Sequence, residues 1–182
     1  MYKDCTSKPA IARQREIEKG LLEYMSHKSY EDITVIDLCQ KLDIPRKAFY
    51  RYFSNKDGAL HALIDHTLVD AFSAFTKLQA DMAEKDEVIL YFFKFWLDKK
   101  LLLDALASND LSGILLQRAI SFTISDEAVS KMVYPLHTTQ RAKKYRSIFL
   151  ISGVISLVIQ WHHNKFDKTP EQMAKLASDL LP

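Results

Sequence analysis

Glycine and proline are scarce in this chain, four and five among 182 residues. That scarcity excludes a turn-rich β architecture and a low-complexity linker protein, and it favours helices. Cysteine is scarcer still. Cys5 sits in a polar leading stretch and Cys39 on an apolar stripe, so neither a disulfide framework nor a zinc-type Cys/His spacing is available, and a reducing compartment fits. A long hydrophobic run is missing too. Residues 147–164 lack Asp, Glu, Lys and Arg but carry Ser147, Ser152, Ser156, Gln160, His162 and His163, too many polar groups for a bilayer span. The leading residues, with Lys3, Asp4 and Lys8, hold no apolar signal core. A soluble cytoplasmic protein with no membrane partner is expected.

Catalytic patterns are also absent. There is no Gly-rich phosphate loop and no nucleophile elbow. His162 and His163 are adjacent and diverge by about 100° on a helix, and His61 and Asp65 at i, i+4 lack a third ligand. No enzyme activity, cofactor or metal is expected.

What is present is a 48% hydrophobic chain, enough for a real core in one compact unit or two small domains. The net charge of +2 diagnoses nothing by itself, but its distribution is uneven. Residues 1–60 hold 11 Lys/Arg against 9 Asp/Glu, and the remainder is neutral, with 14 of each.

The excess coincides with two short apolar-periodic segments. In the first, Thr34 and Asp37 form a Thr-x-x-Asp start signal, and Val35, Leu38, Cys39 and Leu42 fall at i, i+3, i+4, i+7 on one stripe. Asp43 and Ile44 make the turn. Pro45 suits the first position of a second helix, because its missing N–H has no partner there. That helix is expected over 46–53, with Phe49 and Phe53 facing the first. Lys47, Tyr50 and Arg51 then point outward, flanked by Arg46 and Ala48. From Ile44 to Lys56 there are four cations and no acid. Leu21, Tyr24 and Met25, in a helix expected over 9–27 after a flexible start, supply the third wall. This is the outline of a helix-turn-helix that reads DNA.

At this level of detail, residues 17–60 resemble the N-terminal domain of the TetR-type transcriptional regulators without a gap. Ile17 opens the family's first helix; Tyr30 and Thr34-Val35 match the aromatic, threonine and valine before its second; Ile44 falls at the turn valine. Tyr50-Arg51-Tyr52-Phe53 matches the aromatic end of the recognition helix, and Lys56-Asp57 the lysine-acid pair that follows. Departures are Ser29 and Asp43 in place of glycines, Pro45 in place of serine, and Ala59 in place of leucine. Asp tolerates a left-handed turn moderately well; Pro45 removes a hydroxyl and an N–H that would touch phosphate. Arg46, Lys47 and Arg51 are candidates for base edges, since Arg and Lys donate to guanine O6 and N7. Residue geometry and the resemblance together assign Thr34, Tyr50, Tyr52 and Lys56 to phosphate, with Ala48 on the same face, and Lys8 and Arg13 as weaker backbone contacts.

Beyond the head (residues 1–58), a joining helix over 60–78 leads into a helical bundle (59–182), giving an all-α protein of about nine helices. Further helices are expected over 88–97, 111–122, 127–136, 141–163 and 171–181. Phe92, Phe93, Trp96, Phe122, Tyr134, His137 and Phe149 are candidates to line an effector pocket between helices, against the plainer reading that each is core. The long penultimate helix is apolar on two faces and needs two partners. Ser152, Ile155, Ser156 and Ile159, with Met173, Leu176 and Leu180 of the last helix, are candidates for a second copy's contact surface. The resemblance implies a homodimer on a roughly palindromic double-stranded operator, acting as a repressor relieved by a small apolar or amphipathic effector. The alternative is a TetR-like co-activator or adaptor working mainly through protein or metabolite binding by the bundle.

Overall fold

The computed structural model describes residues 1–80, 85–125 and 140–180. Its helices are α1 (Lys8–Met25), α2 (Val35–Lys41), α3 (Arg46–Tyr50), α4 (Lys56–Ala80), α5 (Lys85–Asp98), α6 (Lys100–Ser108), α7 (Ser112–Ser125), α8 (Gln140–His163) and α9 (Pro170–Leu180). The fold is all-α; among the described residues the sole β-type pairing is an isolated antiparallel bridge between Tyr2 and Phe53. None of these helices is long and apolar enough to cross a membrane.

Each head helix buries the stripe its period dictates. Ile17, Leu21 and Met25 of α1, Leu38 and Cys39 of α2, and Phe49 with Phe53 meet Leu60 and Ile64 of α4 in one core. That core continues without a break through Phe93 and Trp96 of α5, Leu102 and Leu106 of α6, Leu115 and Ala119 of α7, Ile155 and Val158 of α8 and Ala177 of α9. α1 packs on α4 and α6, and α4 in turn packs on α5 and α7, so α4 serves head and body alike. The division expected at 58/59 therefore falls inside the first turn of α4. Asn109, after α6, adds a polar tie by accepting the Tyr30 backbone N–H at 2.6 Å.

Two differences from the sequence reading stand out. Residues 1–3, expected to be flexible, are stitched to the head: Lys3 N–H donates to the Tyr52 carbonyl at 2.9 Å and Ser54 N–H to the Met1 carbonyl at 3.0 Å. The nine residues of α6 were not foreseen. The segment expected over 127–136 lies outside the described residues.

Candidate nucleic-acid interface

The helix-turn-helix forms for local reasons. The Thr34 hydroxyl accepts from Asp37 N–H at 3.1 Å, and the Asp37 carboxylate accepts from Thr34 N–H at 2.8 Å, the reciprocal cap expected. Lys28 adds an ion pair to Asp37 at 2.9 Å. Lys28 first, and then the Thr34 bonds, hold the Asp37 carboxyl at about 2, well under the ordinary carboxylate value. The turn that follows places Asp43 at φ 48°, the left-handed conformation for which glycine would be the easier residue. Pro45 is the N-cap of α3 instead of its first residue: its ψ of 145° is extended and no side chain caps the helix. The reason is geometric, since the chain leaves the turn extended and acquires helical dihedrals only at Arg46.

α3 is shorter than expected. It ends at Tyr50, with Arg51 as C-cap, and Phe53 reaches the core through the following turn, its ring 5.4 Å from that of Phe49. Phe49 and Phe53 are almost wholly buried. Arg46, Lys47, Tyr50 and Arg51 are exposed, with Ala48 and Tyr52 half-buried beside them. The Arg46 guanidinium lies 6.0 Å from the Tyr50 ring centroid, within cation–π range, so the cationic face is partly ordered in advance. Thr34 is exposed at the start of α2.

Lys56 has a different environment. Its ammonium donates to the carbonyls of Tyr30 and Glu31 and lies 4.4 Å from the Tyr30 ring centroid. Tyr30 in turn donates to Asp57 at 2.7 Å, and burial followed by that carboxylate raises its phenol pKa. The lysine-acid pair is thus a strut joining α4 to the 30–31 loop, and the Lys56 charge is engaged within the head.

Under the bridge formed by residues 1–3 lies a polar cluster that the sequence did not reveal. The Tyr2 hydroxyl donates to Asp65 Oδ2 at 2.6 Å, while Arg118 of α7 donates to both Asp65 oxygens, its Nε–Oδ1 distance being 2.7 Å. Burial, and then Asp65, push the Tyr2 phenol up. Asp65 is therefore engaged by Tyr2 and Arg118. Among the described residues no His/Cys/Asp/Glu group of three is arranged to hold a metal ion.

In the body, Phe93 and Trp96 are fully buried, Phe92 is half-buried, and Phe122 stacks on Phe72 at 5.2 Å. The Trp96 Nε1 is buried and has no hydrogen-bond partner among the described residues. Phe149 is 71% exposed, so it does not line the interior in this chain. It shares the open face of α8 with Tyr145, Ser152, Gly153 and Ser156. Tyr134 and His137 lie outside the described residues. Of the expected self-contact residues, Ser156 and Leu180 are at the surface and Ser152, Ile159 and Leu176 are partly so. Ile155 and Met173 are buried within the chain and unavailable to a second copy, because their side of each helix packs into the bundle.

Residues 17–63 match the family model for bacterial regulatory proteins of the tetR family, and residues 84–182 match that for a transcriptional regulator C-terminal region. The curated proteins give no match. Among solved structures, a TetR transcriptional regulator from Streptococcus agalactiae 2603V is similar at 19% identity and a TM-score of 0.62, with 95% of each chain covered. The dihydroxyacetone kinase operon activator DhaS is similar at 16% identity and a TM-score of 0.56, covering 93% of this chain and 94% of that one. Thermus thermophilus FadR, a TetR family transcriptional repressor in complex with lauroyl-CoA, is similar at 13% identity and a TM-score of 0.55, with 92% of each chain covered. These likenesses concern the fold. With the C-terminal model alone taking in more than half of the sequence and the N-terminal one covering the helix-turn-helix, the chain belongs to the TetR family of transcriptional regulators.

Proposed function

We propose that this protein is a homodimeric regulator that binds a roughly palindromic double-stranded operator through two copies of α3, and that it acts as a repressor released by a small apolar or amphipathic effector. The observation that carries this reading is the exposed face of Arg46, Lys47, Tyr50 and Arg51, free of acids and backed by Phe49 and Phe53. Arg46, Lys47 and Arg51 are suited to guanine edges, and Thr34, Tyr50 and Tyr52 to phosphates. The strut geometry of Lys56 gives it a positioning role. Two heads on one dimer must match successive major grooves, so the body controls affinity through their separation.

The open face of α8 is the surface offered for the second copy. Phe149 supplies apolar area, while Ser152, Gly153 and Ser156 let another backbone approach; among the described residues a methyl added at Gly153 meets nothing within 4 Å. Leu176 and Leu180 of α9 lie on the outside of the last helix and extend the candidate contact. For the effector, the aromatic residues Phe92, Phe93, Trp96 and Phe122 favour an apolar body. The unpartnered Trp96 N–H favours an acceptor oxygen, such as a carbonyl or carboxylate. An acyl compound has both features, and the FadR complex with lauroyl-CoA is a precedent on this fold.

The test is selection from a random duplex library, followed by affinity for the enriched site at several salt concentrations. With Arg46, Lys47 and Arg51 of each subunit displacing counterions, a dimer shows a log–log salt slope of roughly −5. No enrichment, with weak binding lost at physiological salt, overturns the operator reading. A second reading, the co-activator or adaptor acting through the bundle, is favoured by Pro45, which leaves α3 without a side-chain cap or a phosphate-binding hydroxyl. Charge reversal at Arg46 and Lys47 separates the two: an adaptor keeps its partner, whereas a repressor loses its operator.

A further inference from the structure

We infer that residues 1–3 form a second DNA-facing element, in which Lys3 contacts an operator phosphate beside Tyr52 and Tyr2 locks the segment to the body. The assignment rests on the operator reading above. Two backbone–backbone bonds and one from a side chain fix the segment: Lys3 N–H to Tyr52 and Ser54 N–H to Met1, as above, and the Lys3 carbonyl accepting from Gln14 Nε2 at 3.0 Å. Tyr2 and Phe53 are the bridged pair and face inward, since Phe53 is buried and Tyr2 reaches Asp65. Lys3, next in the chain, is exposed, and its N–H on the Tyr52 carbonyl seats it beside that residue. Tyr52 follows Arg51, the last cation of the exposed α3 face, so a cation held on the Tyr52 backbone adjoins that face. Both backbone groups of Lys3 are taken, which leaves its exposed side chain as the free part of the residue.

The anchor gives the element its connection to the body. Tyr2 donates to Asp65 of α4, which Arg118 of α7 also binds, so the segment that carries Lys3 is tied to the α4–α7 contact.

The experiment compares the enriched operator's salt dependence for the full-length protein and three variants. Lys3→Gln removes one cation per subunit; the slope should fall by roughly 1.8 per dimer, and affinity at about 0.1 M salt by up to roughly 60-fold. Gly58→Ala retains Lys3 but places a methyl 2.5 Å from the Met1 carbonyl, so the segment must leave its seat. Gly58 lies in the first turn of α4, where alanine is the better helix former, so the head stays folded. Gly58→Ala and Tyr2→Phe should both lower the slope in the same direction as Lys3→Gln. A wild-type protein that binds its operator while Lys3→Gln leaves slope and affinity unchanged overturns the Lys3 contact alone. Full wild-type slope in both Gly58→Ala and Tyr2→Phe overturns the docking. A wild-type protein that enriches no duplex overturns the operator reading and this assignment with it.

Discussion

Replacing Arg118 by methionine preserves most of the side chain's length and removes its charge, which isolates the ion pair that joins α7 to α4. Asp65 is 7% exposed and has three donors in the structure: two from Arg118 and one from Tyr2. Without Arg118 the carboxylate keeps a single hydroxyl. Breaking a fully buried pair costs about 3–5 kcal/mol, because the remaining charge has lost both water and partner. Here the Arg118 side chain is 29% exposed, so water reaches part of the gap and the cost falls below that range, to about 2–3 kcal/mol. For a chain of this size each kcal/mol moves the melting temperature by about 2–4 °C, so Arg118→Met should melt roughly 5–10 °C lower. Urea unfolding of Arg118→Met, Asp65→Leu and the double variant makes the test. The double variant removes the stranded charge and should lie within about 1 kcal/mol of wild type, more stable than Arg118→Met. A loss under about 0.5 kcal/mol in Arg118→Met, or a double variant equal to the sum of the singles, would refute the reasoning. Either result would mean that water serves Asp65 as well as Arg118 does.

Other consequences follow from the head and from α8. Asp43→Val, which forces a β-branched residue to φ 48°, should cost about 1–2 kcal/mol, whereas Asp43→Gly should change stability by under about 0.5 kcal/mol; paired melting curves check both. Thr34→Ala should cost about 1 kcal/mol through loss of the cap. Asp37 titrates at about 2 when folded, against about 3.9 unfolded. Its contribution is thus complete above the unfolded value and disappears as pH falls through 2, so Asp37→Asn should flatten the acid limb of stability between those limits. Ser156→Arg, on the open face of α8, should shift sedimentation towards the monomer while the helical circular dichroism spectrum stays unchanged.

The parts of this protein legible in its sequence are those whose causes span a few residues. The Thr34–Asp37 cap, the left-handed Asp43 and the buried stripe of Leu38 and Cys39 each depend on neighbours within one or two turns. So does the outward face of Arg46, Lys47 and Arg51, since 100° per residue separates it from Phe49 without reference to anything else. α6 escaped for a local reason of the opposite kind. No glycine or proline marks the bend at Lys99, although Leu102, Leu103 and Leu106 of KLLLDALAS supply an apolar stripe that length and spacing support.

What tertiary structure alone decided are the contacts between distant residues and the choice among equivalent faces. α8 is apolar around most of its circumference, so periodicity separates its sides but does not say which one the bundle covers; packing buries Ile155 and leaves Phe149 outside. Tyr2 reaches Asp65 across 63 positions, and Asp65 reaches Arg118 across 53. No propensity encodes such distances. Residues 1–3 look like a polar leader in the sequence, and they become structure only because the turn after α3 offers them the Tyr52 carbonyl and the Ser54 N–H to pair with.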